Sequence, residues 1–510
     1  MVDLLRIESI FLASKIYNRY RKEILRYNRR IMTSRYMEIA HHLALSIQEG
    51  LLRPGERLPS LRSLCQSEGT SLMTALAAYR HLEDLGLVEA LPRSGYQVRH
   101  ATVPILRRPA IQRSRLTSFS TQRTDILAQV VTAMANPALV PLGFSCPSPK
   151  LFPLSSLRRI TANLLNTRPE LWASYSTPPG CPELRRQIAR RLQARGMEVT
   201  VDEVLLTNGA MEALTLSVRL LASPGDLMAV ECPTFFGILE AARHAGAKVI
   251  ELPGDPEGGL DPERFVTVCE KHAVHTAVLM PSFANPTGSL MSEDRKRAWM
   301  EALQTFGVAL VEDDIYGDLA WDGRKPSPLC AWPRKDGLPN LLVGSFSKTF
   351  LPGGRVGYVV ARSPWIERLT DLKNSSTLAN ATLPEYLVAE CLASGLYDRH
   401  LRHLTSRLQF GVRVLRDCVV QHFPRGTRVS DPKGGFLLWV ELPRGIDGLE
   451  LFHAAGEEGI SIAPGCLFSL GGGLERFIRL NGGADADFGK AMTILGRLAA
   501  DQSVKAAQRS

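Results

Sequence analysis

Lys348 stands in "GSFSKTFLPGGRVGY", residues 344–358, directly after the apolar run "NLLVG". A lysine at the end of a buried strand has three possible chemistries. It can be a solvated loop cation, a clamp for phosphate, or an amine that bonds a carbonyl carbon. The third needs a lowered pKa, which a partly dry pocket and a neighbouring cation supply. Arg355 follows on the same loop, and Ser345 and Ser347 precede and flank the lysine. Serine hydroxyls beside an arginine are suited to phosphate.

Four other strand ends carry residues of the same kind. After "EVLLT", Gly209 and Ala210 open a helix, whose first N–H groups and positive dipole end favour an anion. After "LMAVE" comes "CPTFF", where Phe235 can cover a planar ring or simply fill core; Phe236 is its alternative. After "AVLMP", the "SFANPTG" turn offers the amide of Asn285. After "VALVE", "DDIYGDL" sets Asp313 three residues before Tyr316. A carboxylate at a strand end needs a partner, because burying one alone is costly, and a protonated aromatic nitrogen would serve. Asp314 is the alternative, although strand alternation aims it at the other face.

The elements that must hold these loops read clearly. From about residue 200 to 360, continuous apolar β-branched runs alternate with helical patterns. That predicts a mostly parallel sheet covered on both faces, an α/β architecture. Ligands bind such sheets where loops leave the carboxyl ends of the strands, which is where all of these residues lie.

Taken together and in order, the residues closely resemble the fold-type-I aminotransferases, which bind pyridoxal 5'-phosphate. The similarity runs from about residue 140 to 500 and includes "YSTPPGCPELRRQIARRL" and "FIRLN". The resemblance implies that Lys348 carries the cofactor as an internal aldimine. It implies that Asp313 keeps the pyridine nitrogen protonated, that Tyr316 and Asn285 hold the ring hydroxyl, and that Phe235 stacks on the ring. Ser345, Ser347, Arg355 and the amides of Gly209 and Ala210 would take the phosphate. Arg479, in "RFIRL", matches an arginine that grips a substrate or effector α-carboxylate. Tyr175 matches a tyrosine that reaches the neighbouring subunit's cofactor phosphate. A small C-terminal α+β subdomain is implied as well.

The positive charge is concentrated elsewhere. Residues 1–115 carry 19 Lys and Arg against 10 Asp and Glu, while the remainder carry 42 against 41. A basic module for a polyanion joined to a neutral body is the natural reading. In the module, "YMEIAHHLALSIQEG" places Tyr36, Ile39, Leu43 and Ile47 on one helical face. Ser60 caps a short helix with Leu61 and Leu64 inward, and Gly69 breaks it. Ser71 caps a second helix whose apolar row is Leu72, Leu76, Tyr79, Leu82 and Leu85. Two short helices at a glycine turn form a helix-turn-helix, and "LGLVEALPRSGYQVR" adds a two-stranded wing.

Residues 36–99 closely resemble the GntR family of winged-helix DNA-binding domains. That implies double-stranded DNA as partner, approached by Arg62, Ser71, Thr74, Arg93 and Gly95. The family often carries arginines in the first turn of the recognition helix, where this chain has Leu72 and Met73. Fewer donors then face the base edges, and read-out is expected to be weak or shape-based.

A GntR-like winged helix fused to an aminotransferase-like domain is the arrangement of the MocR subfamily of bacterial regulators. The expected division is a basic extension over 1–31, a winged helix over 32–99, a Pro-, Ser- and Arg-rich linker over 100–121, and the aminotransferase-like domain over 122–500. Met32 is as good a start as Met1. The resemblance implies a regulator that senses pyridoxal phosphate, an amino acid or amine, or both, and a head-to-tail homodimer. The alternative is a working aminotransferase with an accessory DNA-binding module. Nine scattered cysteines, never spaced C-x-x-C, point to reduced thiols in the cytoplasm and to no metal site. No apolar run is long enough for a membrane span.

Overall fold

The computed structural model describes residues 36–509, apart from 37–38, 41, 44–45, 47–51, 53–54, 85–86, 92–94, 99–107, 111–114, 118–120, 257, 333 and 335–336. The extension over 1–31, Met32 and Arg93 therefore lie outside the described residues. The chain divides into two compact units, one ending at Ile105 and one beginning at Leu106.

In the first unit the helix Leu61–Glu68 begins where the Ser60 side chain accepts from Ser63 N, and stops at Gly69 in the left-handed conformation (φ 58°). Ser71 caps the next helix, Leu72–Asp84, by accepting from Thr74 N at 3.2 Å. Strands β1 (Val88–Leu91) and β2 (Gly95–Val98) pair antiparallel as the wing, with Leu91 opposite Gly95. The core gathers Ile39, Leu58, Leu64, Ala75, Ala78, Tyr79, Leu82, Val88 and Val98. One expectation is corrected: Leu72 does not join the inward row but is 55 % exposed. Ala75 and Ala78 of the same helix are fully buried in that core instead.

The second unit is built on one mixed sheet. Its strands run in the order β3 (Arg115–Thr117), β7 (Lys248–Asp255), β6 (Leu227–Cys232), β9 (Val274–Leu279), β10 (Ala309–Asp313), β11 (Asn340–Ser345), β12 (Val356–Val360) and β5 (Val204–Asn208). The short β8 (Gly259–Leu260) pairs with β7. From β7 to β11 every pair is parallel. β12 is antiparallel to both of its neighbours, so β5 again runs with β11. The α/β expectation of a mostly parallel, double-covered sheet holds. The loops after β5, β6, β9, β10 and β11 consequently leave from one edge.

A smaller antiparallel sheet orders β13 (Arg428–Val429), β14 (Leu437–Glu441), β17 (Phe477–Asn481) and β16 (Ala463–Pro464). It has its own core around Trp439, Phe468 and Phe477. β15 (Ile460–Ser461) pairs in parallel with β4 (Val140–Pro141). Helices Leu396–His422 and Phe488–Arg509 accompany this part.

Two expected boundaries shift. The segment 100–121 is not linker throughout: Arg115–Thr117 is an edge strand on β7, Ala110 N donates to Glu441 at 2.8 Å, and a helix starts at Thr121. Backbone pairing, which needs no apolar side-chain pattern, explains why composition hides it. The expected end at residue 500 falls inside the helix Phe488–Arg509.

Candidate cofactor and effector site

Lys348 follows β11, and its side chain turns into the protein. Its Nζ donates to the Ser145 carbonyl at 2.6 Å. Burial lowers its pKa, the Arg479 and Arg355 charges lower it further, and Cys146 and Asp313 oppose them. These are the conditions under which an amine becomes a nucleophile.

Asp313 ends β10 and is almost wholly buried. Desolvation and the neighbouring acids push its carboxyl up to about 7, against a bond from Ile315 N at 3.2 Å and the charge of Lys348. Asp314, the alternative, is committed elsewhere: its carboxylate takes both guanidinium nitrogens of Arg195, at 2.5 and 2.9 Å. That pair is buried on the opposite strand face, as alternation requires. Tyr316 is buried edge-on to Phe436, and its hydroxyl lies 3.0 Å from Ser145 Oγ. Desolvation pushes its phenol up to about 12.

Arg479 sits in the middle of β17, between Trp439 of β14 and Ala463 of β16, and is fully buried. It donates from Nη1 to Asn285 Oδ1 at 2.8 Å and from Nη2 to Gly143 O at 2.5 Å. Its Nε is buried with no hydrogen-bond partner. Desolvation holds the guanidinium down at about 10. A buried arginine with an unspent donor fits an anionic ligand group.

The phosphate set is equally compact. Ser345 Oγ donates to Ser347 Oγ at 3.0 Å, and Arg355 Nη1 reaches Ser347 Oγ at 3.3 Å. Arg355 itself is left-handed (φ 52°), a strained conformation for a residue with a side chain. Gly209 has φ 79°, and a Cβ there would lie 2.3 Å from Arg355 Nη2. A Cβ on Gly357 would lie 2.4 Å from the Gly209 carbonyl carbon. Both positions need glycine for Arg355 and the helix start to meet. One detail differs from expectation: the Gly209 N–H donates back to Thr207 O at 2.8 Å. Its part in the cradle is therefore its missing side chain, and the helix Ala210–Leu221 supplies the amides.

Phe235 is half-buried at the start of the helix Phe236–Ala245, its ring 4.7 Å from Phe236. Phe236 packs against the smaller core and Phe468, while Phe235 packs against the core of the large sheet. Tyr175 is 78 % exposed and is not drawn into the pocket of its own chain. In the first unit Arg62, Ser71 and Gly95 are exposed and Thr74 is half-buried.

Sequence reasoning missed the loop Gly143–Cys146, which ties the site together. Its carbonyls at 143, 144, 145 and 146 take bonds from Arg479, Asn481, Lys348 and again Asn481. Arg479 and Asn481 are two apart on β17 and so share a face. The stretch "GFSCPSP" has no periodicity to mark it; its one signal is a backbone unable to pair with a strand. Glu231 was missed too: it is buried at the end of β6, accepts from Met280 N at 3.2 Å, and desolvation pushes it up to about 8.

These residues fit pyridoxal 5'-phosphate: a half-buried amine for the aldehyde, a buried carboxyl for the ring nitrogen, and a glycine-cleared cradle for the phosphate.

Comparison with known proteins agrees. Residues 155–495 match the family Aminotransferase class I and II, and residues 35–98 match Bacterial regulatory proteins, gntR family. The HTH-type transcriptional regulator YdcR of Escherichia coli (strain K12) is 34 % identical over 88 % of this chain and 94 % of its own. The 2-aminoadipate transaminase of Thermus thermophilus is 29 % identical over 70 % of this chain and 89 % of its own. "Probable rhizopine catabolism regulatory protein MocR" of Rhizobium meliloti is 25 % identical over 84 % of this chain and 86 % of its own. Among solved structures, the α-aminoadipate aminotransferase LysN of Thermus thermophilus, complexed with N-(5'-phosphopyridoxyl)-L-leucine, superposes with a TM-score of 0.69 at 27 % identity. It covers 76 % of this chain and 98 % of its own.

Proposed function

This chain belongs to the MocR type of GntR-family regulators, a winged helix followed by a class I and II aminotransferase domain, and on that premise we propose that it is a DNA-binding regulator whose second unit binds pyridoxal 5'-phosphate and reads an amino acid or amine. The observation that carries the reading is that one loop, Gly143–Cys146, takes bonds from both the half-buried Lys348 and the buried Arg479, with the charge of the buried Asp313 acting on Lys348. The cofactor, when bound, supplies an aldehyde that condenses with amines and a ring that withdraws electrons.

The side chains divide the work. Lys348, whose pKa burial and two nearby guanidinium groups lower, would present its Nζ as the amine that bonds the aldehyde and as a base beside it. Asp313 would hold a proton at the ring nitrogen, and that cationic partner would offset the burial that raises its pKa. Tyr316 and Asn285 orient the ring hydroxyl, and Phe235 covers the ring. Ser345, Ser347, Arg355 and the amide of Ala210 hold the phosphate. Arg479 takes the effector's α-carboxylate with planar, bidentate geometry. Tyr175, exposed in its own chain, serves the partner's phosphate in a head-to-tail homodimer. Arg62, Ser71, Thr74, Arg93 and Gly95 meet the DNA in a cytoplasmic setting.

A second reading has its own observation. The acid, base and carboxylate-binding groups assigned here, Asp313, Lys348 and Arg479, are of the kinds that turnover uses, and a transaminase is among the relatives. Operator binding and transamination measured on one preparation, across a panel of amino acids, separate the two. Shifts in DNA affinity without steady-state product support the sensor; product with unchanged DNA affinity supports the enzyme.

A further inference from the structure

The helix that opens the phosphate cradle carries a carboxylate in its first turn, and a buried lysine cancels it. Glu212 is acidic at the third position of Ala210–Leu221, and it reaches back to accept from Asn208 N at 2.5 Å. Such a carboxylate stabilises a helix start and competes with an anionic ligand for the same positive dipole end. Lys373, fully buried in the helix Trp365–Ser376, places Nζ 3.0 and 2.9 Å from the two oxygens of Glu212. Its remaining donor capacity goes to Thr377 Oγ1 at 3.0 Å and Asn380 Oδ1 at 2.8 Å. Thr377 Oγ1 also donates to Glu212.

The network continues away from the cradle. Asn380 Nδ2 donates to Glu385 Oε1 at 2.7 Å, and Glu385 Oε2 accepts from Cys181 N at 2.9 Å and from Ser176 Oγ. Thr382 Oγ1 fixes the Ser174 carbonyl at 2.6 Å. Tyr175 is thus held between two anchored serines while its own ring stays exposed.

We propose that Lys373 is a positioning residue for phosphate recognition: it neutralises Glu212, so that the N-terminus of Ala210–Leu221 accepts the cofactor's phosphate. The inference rests on the reading that this helix start takes the phosphate. Glu212 alone would set a negative charge within one helical turn of that group. With Lys373 it remains a cap for Asn208 and ceases to repel.

The two single substitutions must act in opposite directions, which a scaffold role would not produce. Lys373→Met leaves a buried, uncompensated carboxylate beside the cradle. Glu212→Gln leaves a buried cation there. The affinity of the full-length apoprotein for pyridoxal 5'-phosphate and for pyridoxal, which lacks the phosphate, is measured by absorbance titration, with a thermal melt of each apoprotein. Lys373→Met should weaken pyridoxal phosphate by about tenfold or more and leave pyridoxal unchanged. Glu212→Gln should bind pyridoxal phosphate at least as tightly as the native chain, and the double variant Glu212→Gln/Lys373→Met should recover most of the loss. Equal losses for both ligands, or a phosphate-specific loss in Glu212→Gln, overturn the proposal. If Lys373→Met does not fold, the sign of the Glu212→Gln effect decides alone. A native chain that does not prefer pyridoxal phosphate to pyridoxal refutes the cradle itself, a distinct outcome.

Discussion

Arg479 Nη1 donates to Asn285 Oδ1 at 2.8 Å, so one hydrogen bond joins the middle of β17 in the small sheet to the loop after β9 in the large one. The residue assigned to the effector's carboxylate therefore touches the residue assigned to the cofactor's ring hydroxyl. Arg479→Ala should weaken amino-acid binding by about ten- to a hundredfold, the equivalent of a charge-assisted pair of roughly 1.5–3 kcal/mol. Pyridoxal phosphate affinity should fall far less, through the freed Asn285 amide alone. Titrations with each ligand check this, and a variant that loses the cofactor first reassigns Arg479 to the cofactor site.

Lys348→Ala should abolish the yellow absorbance of the cofactor-loaded protein. In the native apoprotein only the neutral amine bonds the aldehyde, so the rate of attachment rises with pH and levels off. Burial and the two guanidinium groups lower the lysine pKa, so the plateau should arrive below the ordinary lysine range. Arg479→Gln removes one depressing charge and should move the midpoint up. Asp313→Asn removes a charge that raises the pKa and should move it down. Stopped-flow absorbance against pH gives both midpoints, and shifts of the opposite signs would reject this electrostatic account.

Asp313 makes a stability prediction for the apoprotein. Its folded-state pKa is pushed up to about 7, above its unfolded value, so the folded chain holds a proton that the unfolded chain has lost. Stability therefore falls as pH rises from the ordinary carboxylate range through about 7. Asp313→Asn cannot ionise and should melt above the native apoprotein at pH 8, with the gap closing as the pH is lowered. Cofactor should reverse the order, because the native carboxylate gains a cationic partner. Melting curves at several pH values, with and without pyridoxal phosphate, settle the sign.

The strand-end logic made most of this site readable: five apolar runs each deliver a loop to one edge, and Lys348 and Asp313 lie where it requires, whereas Arg479, in the middle of β17, was legible only through the resemblance carried by "RFIRL". What stayed hidden has a common cause. Gly143–Cys146 acts through backbone carbonyls, which any residue type offers, so its composition carries no mark. The edge strand Arg115–Thr117 likewise pairs by backbone within a stretch that reads as linker. Leu72 failed for a different reason. Helical periodicity identifies apolar residues on one face, but it cannot tell a core leucine from one kept outside for a ligand.

That exposed pair yields a specificity prediction. Leu72 and Met73 are 55 % and 72 % exposed in the first turn of the recognition helix, where base edges are read. An apolar side chain there recognises the thymine methyl group, the one apolar feature of the major-groove edge. In operator duplexes selected from a random pool, replacing thymine by uracil should weaken binding, and Leu72→Ala/Met73→Ala should remove the difference. Arg62→Ala should instead weaken all sequences alike and flatten the salt dependence, by about one unit of log–log slope for one phosphate contact. Equal affinity of the native chain for thymine and uracil duplexes would leave Leu72 and Met73 without a role in reading bases.

The last prediction joins the two activities. An effector that occupies Arg479 and displaces Lys348 can alter operator affinity only by its differential affinity for two states of the regulator, typically about 1–3 kcal/mol or 5- to 150-fold. Linkage then requires operator DNA to shift effector affinity by the same factor, which two titrations on one preparation test without any assumption about route. Both shifts should vanish in Lys348→Ala, which cannot exchange its bond, and in Arg479→Ala, which cannot hold the carboxylate. A pure aminotransferase breaks this symmetry, because its turnover consumes the amino acid while operator affinity stays constant. Unequal factors would show that the two titrations report different equilibria. Equal factors that persist in Lys348→Ala would place the sensing site outside the Lys348 pocket.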